Sequence, residues 1–318
     1  MINKSKIYNT FITCLFLIFF ISYYRNVEKD DIPSVIYFTL FPLIISFIVY
    51  KKISLTGYFL GFISQWIIFL NVNPYPLNQN NKLFIMSLIS EKNRPETQFS
   101  LSEINNKQFN YPVIIKPIVC SGNGKGVQII YSHKELLLYL KNCKNVNSFM
   151  VQNYLYKHNI EIGILWEKYP WENKGRIVEI IQKTQNTKIK NYDPKYIKNL
   201  NFLIDDKLNC YFNEISKSVK NMNVCRYDLR VENIQDLQTG DFKILEINGT
   251  MGMSYLGSPH KNGWFIDTKW YFTRLIIGLY NIITLQGYSP IKLSIVMYKS
   301  YLNTLLCEDW ENIFSLYS

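Results

Sequence analysis

The chain opens with three uncharged apolar stretches, from about Ile7 to Tyr24, from Ile32 to Tyr50 and from Ile53 to Leu70. Each falls within the roughly 17 to 25 residues that a membrane-spanning helix requires. The pattern predicts two transmembrane helices, or three if the last block also crosses. That block carries Gly57, Gly61, Ser64, Gln65 and Trp66, which equally suit a re-entrant or interfacial helix. Lys4 and Lys6 ahead of the first block would suit a secretory signal, but no small-x-small cleavage site follows, so a retained anchor is expected. Basic residues flank every block, which leaves orientation undecided by charge.

Beyond Leu70 the pattern becomes that of a folded α+β domain. Asn- and Pro-rich "NVNPYPLNQNN" marks a boundary near Asn73. A short helix should follow and end before Pro95. "YPVIIKP" and "VQIIY" read as strands around the flexible loop "IVCSGNGKG". "SHKELLLYLKN" reads as a helix whose Ser132 and Glu135 form a capping box. "SFMVQNYL", "IEIGILWE", "GRIVEIIQKT", "VCRYDLRV" and "DFKILEIN" alternate or run apolar as strands do, with a helix predicted at "DDKLNCYFNEISKSVKNM". Thr239-Gly240-Asp241 supplies turn chemistry between the last two strands. The segment "WFIDTKWYFTRLIIGLYNIITL" is amphipathic enough to pack on the domain or to lie on a membrane. The expected domains are residues 1–72 (membrane), 73–148 and 149–262 (two α+β subdomains), and 263–318 (a helical extension).

Composition narrows the classes. With 318 residues, 48% hydrophobic and 16% aromatic, the chain can bury a sizeable core. Its net charge of +11 is spread along the chain without a nucleic-acid-binding module, so anionic lipid or anionic ligands are the expected partners and nucleic acid is not. Six cysteines show neither C-x-x-C pairing nor zinc spacing and read as reduced thiols.

The candidate chemistry lies in the last two strands. Alternation puts Arg226, Asp228 and Arg230 on one face of "RYDLR", and Ile244, Glu246 and Asn248 on one face of "ILEIN". Paired as neighbours, the strands would present Asp228, Glu246 and Asn248 as three oxygen ligands beside two arginines. Hard oxygen ligands suit Mg²⁺, or Mn²⁺ in its place, and the arginines would hold or stabilise a transferred phosphate. Asp228 could instead simply pair with an arginine, and Glu246 could be solvated. Lys116 ends an apolar strand, and Gly122, Gly124 and Gly126 make a loop able to bring backbone N–H groups against phosphates. The loop is neither a P-loop nor a dinucleotide fingerprint.

Taken in order, "YPVIIKP", "GNGKGV", "VQNYL", "EIGI", "RYDLRV" and "FKILEIN" resemble the ATP-grasp superfamily, of the carboxylate–amine ligase type represented by D-alanine–D-alanine ligase. The resemblance spans roughly Asn81 to Gly257 and implies an ATP-grasp fold, two α+β subdomains with nucleotide between them, here preceded by transmembrane helices. It implies that Lys82 and Lys116 contact ATP phosphates and that Ser121, Gly122, Gly124, Lys125 and Gly126 belong to a loop closing over them. Gln152, Tyr154 and Leu155 would form the adenine hinge, Glu161 would reach the ribose, and Lys183 would face phosphate. Asp228, Glu246 and Asn248 match the metal ligands, and Arg226 the residue that stabilises the transferring phosphoryl group, with Lys116 and Arg230 assisting. Gly252, Met253 and Ser254 echo a segment near the acceptor. Asn81 and Lys125 depart from the ligase pattern, and the membrane blocks stand where the ligases have a substrate-binding domain.

The implied activity is a membrane-anchored, Mg-ATP-dependent ligase with its catalytic domain facing the cytoplasm, joining a small-molecule carboxylate to an amine, either of them open to being lipid-linked. A kinase on the same scaffold and a degenerate nucleotide-binding protein are the alternatives.

Overall fold

The computed structural model describes residues 67–74, 82–98, 109–118, 126–142, 149–184, 196–219, 222–249 and 263–285, with isolated positions at 63, 254, 256, 289–291 and 294. The first two apolar blocks, most of the third, and the loop residues Ser121, Gly122, Gly124 and Lys125 lie outside the described residues. So do Asn81, Gly252 and Met253. The described residues divide into two compact units. One comprises those up to Val72 and from Ser254 to Ile291, the other those from Asn73 to Met253 and from Lys292 on.

Among the described residues, the larger unit holds two antiparallel sheets. The first contains β1 (Thr97–Gln98), β2 (Val113–Pro117), β3 (Gln128–Ile130) and β4 (Phe149–Asn153), in the order β1-β4-β2-β3. The second contains β5 (Ile160–Glu167), β6 (Arg176–Lys183), β7 (Ile197–Asn199), β8 (Val224–Val231) and β9 (Lys243–Asn248), in the order β7-β6-β5-β8-β9. Helices α1 (Lys82–Leu88), α2 (His133–Asn142), α3 (Asp206–Lys217) and the single turn α4 (Asp236–Thr239) complete it. The expected α+β architecture with antiparallel pairing is present.

Strand alternation decides which face of the second sheet is core. Ile162, Ile164 and Trp166 of β5 and Tyr227 and Leu229 of β8 pack with Leu208 and Phe212, which lie one turn apart on α3. The opposite face carries Glu161 on β5 and Arg226, Asp228 and Arg230 on β8, and it becomes the site. The first sheet has its own core of Val113, Ile115, Ile130, Phe149 and Val151 with Leu136 of α2.

Local polar bonds fix these elements. Asp205 caps α3 by accepting from the Leu208 N–H at 2.7 Å. The helix ends at Lys217, short of the predicted stretch, where Ser216 and Ser218 turn their hydroxyls back to the carbonyls of Phe212 and Ile215. Asn213 on α3 accepts the Gly175 N–H at 2.6 Å and donates to the Gly175 carbonyl at 2.9 Å, pinning the start of β6 to the helix. Gly175 is required there, because a Cβ would run into the Trp166 ring. Ahead of α2, Ser132 accepts from the Glu135 N–H at 3.2 Å as a capping box demands. Glu135, however, accepts from the Tyr131 N–H at 2.8 Å, one residue earlier than the box predicts. Asn73, at the start of the unit, is buried. It accepts from the N–H groups of Asn223 and Val224 at 2.7 and 3.1 Å and donates to the Val224 carbonyl at 2.8 Å, so its side chain closes the head of β8.

The smaller unit is organised by α5 (Gly263–Thr284). Asn281 donates to the carbonyls of Asn71 and Val72, both at 2.9 Å, and Gly278 lies so close to the Ile68 carbonyl that no Cβ would fit. Among the described residues no helix is long and apolar enough to cross a membrane.

Candidate active site

The site is built around the middle of β8. Register places Asp228 opposite Glu246 of β9 and Gly163 of β5, and Arg226 opposite Asn248. The carboxylates and amide predicted to share a surface are therefore on adjoining strands. The simple alternation of "ILEIN" fails in one respect. A bulge at Leu245 shifts the register between Asp228 and Leu229, so Ile244 pairs with Leu229 and is buried in the core rather than standing beside Glu246. Ile244 and Ile247 both face inward, three residues apart, while Glu246 and Asn248 remain on the site face.

Two polar clusters result. In the first, Arg226 grips Asp228 with two hydrogen bonds of 3.0 and 3.1 Å, and the Asn248 amide N–H donates to the same carboxylate at 2.9 Å. Lys183 approaches Asp228 to 3.8 Å and ion-pairs with Glu161 at 2.6 Å across the β5–β6 ladder. Burial alone would raise the Asp228 carboxyl. The Arg226 and Lys183 charges, with hydrogen bonds from Arg226 and Asn248, outweigh it and hold the group below the usual carboxylate range. Asp228 stays ionised.

In the second cluster, Lys82 at the first turn of α1 reaches Glu246 at 3.3 Å, and Lys116 of the first sheet donates to the Leu245 carbonyl of the second at 3.3 Å. Burial lowers the Lys116 pKa to about 7. Lys82 and Arg230 push in the same direction, and Glu246 opposes them. Arg230 lies across the sheet from Glu161 and Lys243, and its Nε is buried without a hydrogen-bond partner. Five cations thus surround three carboxylates, an arrangement that suits an anionic ligand.

The remaining predicted residues lie apart from these clusters. Gln152 is buried on β4 opposite Ile114, the Tyr154 N–H donates to the Pro112 carbonyl at 3.2 Å, and Leu155 follows on the segment joining the two sheets. Gly126 has φ of 71°, a left-handed conformation that favours glycine. The two ion pairs, Lys82–Glu246 and Lys183–Glu161, were not foreseen from sequence. The second had a usable signal, because a β5–β6 hairpin brings those positions opposite one another. The first joins a helix to a strand 164 positions later and had none.

The donor set fits a hard divalent cation. The Asn248 amide nitrogen is turned toward Asp228, which leaves its oxygen for a ligand role, and Asp228 and Glu246 supply a carboxylate each. Among the described residues no group of three or more His, Cys, Asp or Glu side chains is placed to hold a metal, so a cation here would rely on the Asn248 oxygen and on oxygens of a ligand.

Comparison with known proteins identifies the family. The sequence profile described as "D-ala D-ala ligase C-terminus" matches residues 81–266, more than half of the chain. No protein of curated function matches in sequence. Among solved structures, the chain is similar to the VanG D-Ala:D-Ser ligase of Enterococcus faecalis. The identity is 18%, the coverage 63% of this chain and 61% of that one, and the TM-score 0.44. A D-alanine–D-alanine ligase of Bacillus anthracis is 17% identical over 70% and 69% of the two chains, with a TM-score of 0.40. An L-amino acid ligase of Bacillus licheniformis is 13% identical over 54% and 40%, with a TM-score of 0.38. The chain spans only about two fifths to two thirds of the length of such structures. On the strength of the profile match, the chain belongs to the D-Ala–D-Ala ligase C-terminal family, within the carboxylate–amine ligases of the ATP-grasp superfamily.

Proposed function

We propose that the chain is an ATP-dependent ligase that activates a small-molecule carboxylate as an acyl phosphate and joins it to an amine or similar nucleophile. The observation that carries this reading is the pairing of Asp228 with Glu246 and of Arg226 with Asn248 on adjacent strands, ringed by Lys82, Lys116, Lys183 and Arg230. Asp228, Glu246 and the Asn248 oxygen would hold Mg²⁺, or Mn²⁺ in its place. The cation, when bound, neutralises charge on the phosphoryl oxygens.

This chain's own residues do the rest. Lys82 and Lys116 hold phosphates of ATP, and Ser121, Gly122, Gly124, Lys125 and Gly126 would supply further contacts to them. Gln152, Tyr154 and Leu155 cradle the adenine. Glu161 serves the ribose and, through its pair with Lys183, keeps that lysine beside Asp228. A substrate carboxylate oxygen bonds to the γ-phosphorus as the bond from phosphorus to the bridging oxygen of ADP breaks. The nucleophile then attacks the acyl carbon, inorganic phosphate leaves, and the amine gives up a proton. Arg226, with Lys116 and Arg230, stabilises charge on the phosphoryl oxygens, which is where preorganised donors contribute most.

The apolar N-terminal blocks anchor the chain in a membrane, with the catalytic unit facing the ATP-containing cytoplasm, and a lipid-linked substrate would explain the anchor. Hydroxylamine trapping tests the chemistry. With Mg-ATP and a panel of carboxylates, an acyl phosphate yields a hydroxamate. ATP turnover that yields a stable phosphate ester instead makes the protein a kinase and overturns the ligase reading.

A further inference from the structure

We propose that one face of α5 is a lipid-contact surface, so that the C-terminal helix, and not only the N-terminal blocks, sits against acyl chains. The inference rests on the reading of the N-terminal blocks as membrane-resident.

Along α5 large apolar side chains face outward and several polar ones inward, whereas α3 of the larger unit turns its charged residues outward. On α3, Leu208 and Phe212 are buried while Asp206, Lys207, Glu214 and Lys217 are exposed. On α5, Lys269 and Thr284 are exposed near the two ends, and between them so are Phe272 (43%), Ile276 (50%), Leu279 (46%), Tyr280 (37%) and Ile283 (72%). Their spacing of four, three, one and three residues makes a continuous stripe down one side of the helix. The buried side, besides Tyr271, Leu275 and Ile277, holds Thr273, Arg274 and Asn281. Arg274 is 1% exposed and its guanidinium stacks on Trp270 at 4.1 Å and Phe69 at 5.6 Å. Asn281 spends its amide on the Asn71 and Val72 carbonyls.

Placing the polar groups inward and large apolar groups outward is unfavourable against water and favourable against hydrocarbon, where intramembrane polar residues turn to protein partners. The close approach of Gly278 to the Ile68 carbonyl is likewise the small-residue contact by which helices associate in lipid. Lys269, exposed one turn before Phe272, puts a charge at one end of the stripe, and from Leu275 to Ile291 the sequence carries none. Yet α5 is not apolar enough to cross on its own. It fits a helix set into the boundary between headgroups and acyl chains, where an amphipathic helix buries one face.

Photocrosslinking of the full chain tests this. Benzoyl-phenylalanine is placed singly at Phe272, Ile276 or Ile283, with Thr273 on the buried side as a control. Each chain is reconstituted in vesicles of phosphatidylcholine with a minority of phosphatidylglycerol, irradiated and read by mass spectrometry. Phospholipid adducts at 272, 276 and 283, and none at 273, are expected. Adducts only to peptides of this chain or of a second copy overturn the proposal, as does equal lipid labelling at 273. Flotation of the same samples reads the anchor separately. A chain that floats but gives no lipid adduct at the stripe refutes the α5 surface and leaves the N-terminal anchor standing. A chain that does not float refutes both.

Discussion

Replacing Lys116 with methionine should stabilise the unliganded protein while destroying its affinity for ATP. Burial, reinforced by Lys82 and Arg230, holds this ammonium near pKa 7 against 10.5 in an unfolded chain. Below about pH 7 the group is charged in both states, and the folded state bears the whole penalty of keeping it charged, about 5 kcal/mol at 1.4 kcal/mol per pH unit. Between about pH 7 and 10.5 the unfolded chain binds more protons than the folded one, so this group makes stability rise with pH until the penalty disappears. Methionine keeps the unbranched stem and removes both penalty and slope. It also strips the Leu245 carbonyl of its donor, a loss of about 1 kcal/mol. The net expectation is a gain of roughly 2 to 4 kcal/mol at about pH 6 that fades by about pH 10. Urea unfolding in detergent, followed by tryptophan fluorescence across that range, measures it, and calorimetric titration with ATP measures the lost binding. A variant that is less stable than the parent at about pH 6, or equally displaced at every pH, refutes the reasoning.

Asp228→Asn should fold, since an amide fills the same space, but ATP turnover should fall on the order of 10² to 10³, as when a preorganised charge-stabilising group is lost. Steady-state phosphate release checks it. Arg230→Met should leave the urea midpoint unchanged or raised, because the Arg230 Nε is buried without a hydrogen-bond partner. The same substitution should raise the KM for ATP about tenfold to a hundredfold. Gly175→Ala should lower stability by roughly 1 to 3 kcal/mol through collision with Trp166, and Asn213→Leu should do so through the loss of both bonds to Gly175. Combined, the two should cost less than their sum, which a double-mutant unfolding cycle reads directly.

Much of this site was legible because a strand has a period of two. The spacing of Arg226, Asp228 and Arg230 assigned them to one face, and their apolar neighbours Tyr227 and Leu229 marked the other. What alternation could not reveal was the bulge at Leu245, since an extra residue in one strand is specified by its partner and leaves no local mark in "KILEIN". β7 was missed for a related reason. Three residues in an Asn- and Lys-rich stretch carry too little pattern, and Ile197–Asn199 becomes a strand only because β6 offers it an edge. Asn213 and Asn73 look like ordinary polar residues in a helix and a linker. Each is buried because backbone groups far along the chain need its amide.

The bonds of Asn73 also set an order of events during synthesis. Its partners, Asn223 and Val224, are made 150 and 151 residues later. At about 5 to 20 residues per second, a translating ribosome needs on the order of ten to thirty seconds to deliver them. For that interval the head of β8 does not yet exist, and the bonds between it and the Asn73 side chain cannot form. The chain ahead of Asn73 therefore emerges well before the second sheet can close on this residue.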